Sequence, residues 1–168
     1  ISLRIAEQGY RIAYTPYAYA IETASANVSE ELKRKVRIAA GGLQTIGRLK
    51  ELLNPFRYGL LSIQYISHKV LRWTIAPIAL FSLLFINFFI VLNSGRWSFD
   101  NFYSIFFYFQ AFMYLLALLG GFFERHKIRL KLLFVQFFFT AINYASILGW
   151  VRFLKGKQSV NWEKSKRA

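Results

Sequence analysis

Three apolar stretches without a single charge constrain this chain more than any other feature. Thr74–Asn93, Phe102–Phe123 and Leu132–Val151 contain no Asp, Glu, Lys or Arg. At about 1.5 Å of rise per residue, each is long enough to cross a bilayer core as a helix. A water-soluble domain of this size rarely gathers its apolar residues into such blocks. The 55% hydrophobic and 19% aromatic content with a mean hydropathy of +0.31 points the same way. The spacing predicts spans near 74–93, 102–123 and 132–151, within a transmembrane region 74–151. Pro77 sits in the first turn of the first span, where proline is tolerated. Gln136, Thr140, Asn143 and Ser146 recur every three or four residues in the third, a polar row expected to face neighbouring helices rather than lipid.

Charge gives the direction. The chain carries 22 Lys and Arg against 8 Asp and Glu, a net +14. Such an excess serves nucleic acid or an anionic membrane surface. The aromatics lie mainly inside the apolar blocks, where they cannot stack on bases, so nucleic acid is not an expected partner and membrane lipid is. Glu124–Lys131 holds four basic residues, whereas Ser94–Asn101 is nearly neutral and offers Trp97 as an interfacial anchor. The first therefore belongs on the cytoplasmic side, with the N-terminal part of the chain, and the second outside. Three full spans would then put the basic tail 152–168 outside, against the positive-inside rule. Either the tail is an exception or the third stretch is re-entrant or interfacial; its length and lack of charge favour three spans. There is no Cys, which excludes disulfides, and His68 and His126 are too far apart to suggest a zinc site. The chain opens on Ile1 in mid-pattern and reads as the C-terminal part of a longer protein.

Upstream of the spans, Ser29–Leu53 reads as an amphipathic helix. Leu32, Val36, Ala39, Leu43, Ile46 and Leu53 form an apolar stripe. Arg34, Arg37, Gly41 and Arg48 fall within roughly 60° of one another on the other side. Asn27 or Ser29 can cap its start, and Glu30 and Glu31 suit the positive end of the helix dipole. Gly41–Gly42 costs roughly 1 kcal/mol per glycine relative to Ala inside a helix. The pair implies either a close approach to the backbone or a break. A cationic face with a glycine gap suits a phosphate-bearing ligand, because the guanidinium fork matches phosphate oxygens. An ordinary solvated basic face has the same pattern.

Asn54–Pro55 ends that helix. Phe56–Trp73 reads as a second amphipathic helix, an interfacial one. Phe56, Leu60, Ile63, Val70 and Leu71 lie on one face. Arg57, Gln64, His68, Lys69 and Arg72 lie on the other, with Trp73 at the edge. His68, Lys69, Arg72 and Trp73 are the candidate membrane-interface residues. At the N-terminus, Ile1–Gly9 suggests a short helix ended by Gly9. Tyr10–Ile21, with a turn at Thr15–Pro16, suggests one or two short strands.

Several segments, in order, resemble membrane-embedded family 2 glycosyltransferases: the cellulose, hyaluronan and chitin-oligosaccharide synthases and bacterial exopolysaccharide transferases. Arg34-Lys35-Val36-Arg37-Ile38-Ala39-Ala40-Gly41 resembles their Q-x-x-R-W…G segment, with Arg34 in place of Gln and Ile38 in place of Trp. Ser67–Trp73 (Ser-His-Lys-Val-Leu-Arg-Trp) and Trp162–Lys164 are similar to motifs of a bacterial branch. Leu3–Arg11 resembles the stretch that follows the family's acidic catalytic motif. The resemblance implies a mainly α polytopic membrane protein. Residues 1–54 would be the C-terminal edge of a GT-A type α/β domain, 55–73 an interfacial helix and 152–168 a basic tail. It implies a bacterial inner-membrane enzyme moving sugar from a nucleotide-sugar donor to a glycan or lipid-linked acceptor. Arg34, Arg37 and Gly41 would then contact the donor diphosphate.

Such chemistry needs a neutralised diphosphate and a carboxylate base. The chain has no Asp-x-Asp. Of its acidic residues, only Glu22 has a plausible position in a cleft. The resemblance therefore implies that the catalytic carboxylates and the ligands of a divalent Mg or Mn lie upstream, and that this part alone is inactive. A different class of reading remains open: a non-catalytic anchor or scaffold whose basic helices bind anionic lipid.

Overall fold

A computed structural model describes residues 2–23, 25–95, 97–128 and 130–156. The Trp162–Lys164 motif and most of the basic tail lie outside these residues. The protein is mainly helical, and among the described residues there is no strand. The short helix α1 spans Ser2–Glu7 and ends at Gly9, whose φ of 88° only glycine adopts easily. Residues 10–23 have no regular secondary structure beyond a turn at Pro16–Tyr17 and form no ladder. The strands expected at Tyr10–Ile21 therefore do not form. A strand needs a neighbour for its N–H and C=O groups, and among the described residues none pairs with this segment. Tyr14 and Tyr17 are 90% and 92% exposed.

The helix expected at Ser29–Leu53 forms as α2, Val28–Arg48, followed by a tighter 3-10 turn at Lys50–Leu53. Asn27 is the cap: its side chain accepts from the Glu30 N–H at 2.9 Å. Asn54 then caps the next start, accepting from the Phe56 N–H at 3.0 Å. The helix runs straight through Gly41–Gly42, so of the two readings of that pair a break is excluded.

Phe56–Trp73 is not one helix. It is α3 (Pro55–Tyr58), α4 (Leu60–Tyr65), a wider π turn (Ile66–Val70) and α5 (Leu71–Trp73). Gly59, at φ 52°, separates α3 from α4. Much of the predicted apolar face is exposed: Phe56 is 100% exposed, and Leu60 and Ile63 are exposed too. The residues that turn inward are Ser62, Tyr65 and Val70. Tyr65 joins Leu49 and Leu52 in a small core, closed by Leu3 from α1 and Ile46 from α2.

Three long helices follow: α6 (Ile75–Ser94), α7 (Phe102–Arg125) and α8 (Lys131–Leu154). All three are long and apolar enough to cross a membrane. The expected ends at 93, 123 and 151 fall one to three residues short of these. Gly95, left-handed, ends α6, and the Asn101 side chain caps α7. α7 runs without a break through Gly120–Gly121 to Arg125. These glycines admit α8: a Cβ on Gly120 would lie 2.2 Å from the Leu133 carbonyl oxygen. α6 and α7 are tied by the buried amides of Asn87 and Gln110, bonded at 2.8 Å, and by the Tyr114 hydroxyl, which donates to the Leu80 carbonyl at 2.8 Å.

The most extensive helix pairing is that of α2 with α8. The apolar stripe of α2 turns onto α8, and Ala39, Ala40 and Leu43 are buried there. Gly149 makes this possible. A Cβ at that position would lie 2.5 Å from the Ala39 Cβ and 3.2 Å from the Val36 carbonyl oxygen. Small residues let two backbones approach closely and gain van der Waals contact along their length. The polar row of α8 mostly satisfies itself. Thr140, Asn143 and Ser146 each donate to the carbonyl four residues back.

Candidate functional site

The N-terminal half of α2 carries the candidate diphosphate residues, and its first turn sets their environment. Glu31 is the hub. Its carboxylate accepts from the Ser25 hydroxyl at 2.6 Å, from Arg34 Nε at 2.8 Å and from Arg34 Nη2 at 2.6 Å. Lys35 Nζ lies 3.3 Å away. The two Arg34 bonds are the parallel, charge-assisted kind that a guanidinium makes best. The Arg34 guanidinium foremost, and then Ser25 and Lys35, hold the Glu31 carboxyl down to about 2 against the opposing effect of partial burial. The same pair pushes Arg34 further above its usual range, and the nearby charge of Glu22 adds to this. The Ser25 bond also ties the chain just before the Asn27 cap to the helix.

Arg34 is thus half-buried, with its fork turned to Glu31. Arg37 lies one turn further along, also half-buried and itself engaged. Gly41 is half-buried, and its carbonyl accepts from the Thr45 hydroxyl at 2.8 Å. Arg48, at the end of the helix, is exposed. Lys33 pairs with Glu30 at 2.8 Å on a side chain open to solvent. Glu22 is exposed and sits close enough for its charge to act on Arg34.

At Gly42, the second glycine of the pair, the space is filled by the protein itself. The space beside Gly42 holds the indole of Trp73, and a Cβ there would lie 1.8 Å from the ring. The carbonyl of Trp73 accepts from Trp150 Nε1 at 2.8 Å. Trp73, Gly42 of α2 and Trp150 of α8 therefore meet at one point. Of the other membrane-interface candidates, His68, Lys69 and Arg72 are exposed, while Trp73 faces inward.

Sequence reasoning missed Glu31 as the partner of Arg34, although the three-residue spacing on a helix is a visible signal. It also missed Trp150, which nothing local to its sequence links to Trp73. Asn87 and Gln110 were missed as well, although a lone amide in a charge-free stretch is a recognisable mark of a contact between helices. Among the described residues, the Ser62 and Tyr65 hydroxyls are buried without a hydrogen-bond partner. Burial raises the Tyr65 pKa, with the charge of Glu7 adding to it. Among the described residues, no group of three His, Asp or Glu gathers where it could hold a metal ion.

The second notable site is a large open cavity of about 1130 Å³ between the start of α2, the second half of α7 and the middle of α8. Leu32 and Val36, from the apolar stripe of α2, line it, as does Phe81 of α6. No family model, curated protein or solved structure matches the chain.

Proposed function

We propose that the chain is the C-terminal part of a membrane glycosyltransferase of the family 2 kind. In this reading α2 belongs to the edge of a GT-A type domain and contacts the donor diphosphate. The following helices anchor the enzyme in a bacterial inner membrane, with α2 on the cytoplasmic side. The donor is a nucleotide sugar, and the acceptor is a glycan or a lipid-linked glycan. The catalytic carboxylates and the ligands of a divalent metal come from an upstream part.

One observation supports this reading more than any other. The two segments that carry the resemblance, Arg34–Gly41 and Ser67–Trp73, are distant in sequence yet adjoin in the fold, with Trp73 seated against Gly42. A basic helix on a solvated surface needs no such partner. The contact fixes the arginine helix relative to the apolar helices, and a ligand-binding helix needs a rigid support of this kind.

In this reading Arg37 contributes more than Arg34, because Arg37 stands where the resembling family has Arg and Arg34 where it has Gln. A charge-assisted contact contributes roughly 1.5–3 kcal/mol. In the full-length enzyme, Arg37→Ala should therefore lower kcat/KM by roughly 10- to 150-fold with normal membrane insertion, and Arg37→Lys should recover only part of the loss. Lys33→Ala should change little, because its side chain is exposed and paired with Glu30. Wild-type kcat/KM in Arg37→Ala would reject the diphosphate role. A full-length protein that turns over no nucleotide sugar at all would leave α2 as part of a membrane anchor.

A further inference from the structure

The cavity beside α2 has a polarity gradient along its length. Its charged lining residues, Lys33, Glu124 and Arg125, all come from the start of α2 and the end of α7. The cap region of α2 adds Asn27 and Ser29 at that same mouth. Away from the mouth, the walls are apolar or aromatic, with Phe81, Leu118, Phe137 and Leu148 among them. Of the three hydroxyl-bearing residues in that part, Tyr114, Thr140 and Tyr144, the first two are already used within the protein. Tyr114 donates to the Leu80 carbonyl and Thr140 to the Gln136 carbonyl. A ligand resting there finds apolar surface and no free hydroxyl from these two. At about 1130 Å³ the space exceeds the usual range for a drug-sized ligand, about 300–1,000 Å³. Its walls are built largely from helices apolar enough to lie in a membrane.

We propose that this cavity seats one anionic glycerophospholipid, its acyl chains in the apolar part and its phosphate at the mouth between Lys33 and Arg125. Charge complementarity selects the headgroup. Glu124 is already engaged within the protein, and Lys33 keeps donors beyond the one it gives Glu30. Arg125 is exposed at the end of α7, next to Lys127. Basic pockets between membrane helices on the cytoplasmic side recognise anionic headgroups in this way. The inference rests on the apolar character of the helices and not on the transferase reading, so either can fail without the other.

The test is native mass spectrometry of the chain purified in mild detergent and supplied with phosphatidylglycerol or phosphatidylcholine. One phosphatidylglycerol should be retained per chain, several-fold in preference to phosphatidylcholine. The double variant Lys33→Gln/Arg125→Gln should bring that preference close to parity. Ala141→Phe fills the apolar part and should abolish retention of both lipids. If that variant fails to fold by circular dichroism, the rim variant alone decides. Equal retention of the two lipids by the wild type would overturn the proposal. So would retention undiminished in a folded Ala141→Phe, or glycerol phosphate competing as well as the whole lipid. A protein bound in the cavity in place of lipid would also overturn it, as the mark of a docking groove.

Discussion

The contact of α2 with α8 and Trp73 is made from glycine and alanine, whereas that of α6 with α7 is made from amides and aromatic rings. In the first, Gly149 and Gly42 leave no room for one further carbon atom. In the second, Asn87 bonds Gln110, Tyr114 reaches Leu80, and Phe88 meets Phe107 at a centroid distance of 5.7 Å. Side chains hold that interface, and they can turn. The difference decides where the molecule tolerates change: backbone against backbone has no slack, and ring against ring has some.

The largest effect should come from Gly149→Val. The new Cβ meets Ala39 and the α2 backbone, and neither can move without separating the helices. Overpacking of this kind costs up to about 3 kcal/mol, read as a shift in unfolding free energy in mixed micelles. Gly42→Ala should cost less, about 1–2 kcal/mol, because its obstacle is the end of a side chain. The Trp73 ring can swing away, and a changed tryptophan emission spectrum should accompany the loss. Unchanged emission would show that Trp73 is not seated against Gly42.

The amide pair sharpens the comparison from the other side. Asn87→Leu or Gln110→Leu alone leaves one buried amide unpaired and should cost about 1 kcal/mol. Both changes together should cost less than the sum of the two, because neither amide is then left without its partner. An additive double variant would mean that the two amides do not bond. The smallest effect concerns Glu31. Its carboxyl is held down to about 2 in the folded chain, against about 4.5 for an unperturbed Glu. The stability this contributes is complete above about pH 4.5 and is lost as pH falls towards 2. The ion pair lies near the surface on the partly exposed side chains of Arg34 and Lys35, where solvent screens it, so the loss should be below about 1 kcal/mol. Glu31→Gln should flatten the acid limb of the stability profile over that window.

Much of the helical layout was legible because charge-free length and side-chain caps are local signals. Asn27, Asn54, Gly9 and the three apolar blocks each act within a few residues. Gly59 was legible only in hindsight. Helical periodicity on both sides carried the reading across it, although its φ of 52° interrupts the helix. The strands at Tyr10–Ile21 failed because alternation records a preference and not a partner. At the candidate site, the shared face of Arg34, Arg37 and Gly41 was readable from spacing. That Glu31 engages Arg34 depends on rotamers, and that Trp73 fills the space beside Gly42 depends on a contact between distant segments. Periodicity carries neither.

The docking of α2 on α8 is the claim on which the rest depends, and the absence of native Cys makes it directly testable. Ala39→Cys and Gly149→Cys should form a disulfide on mild oxidation in native membranes: their β positions, 2.5 Å apart, need part by only about 1 Å to reach the roughly 3.5–4.5 Å of a disulfide, at some cost in stability. Ile38→Cys with Gly149→Cys is the control. Ile38 is one residue from Ala39 but turned about 100° around the helix, so this pair should stay reduced. Crosslinking at 39/149 and not at 38/149 is the predicted result. Equal crosslinking of the two pairs, or crosslinking of neither, would contradict the packing of α2 against α8.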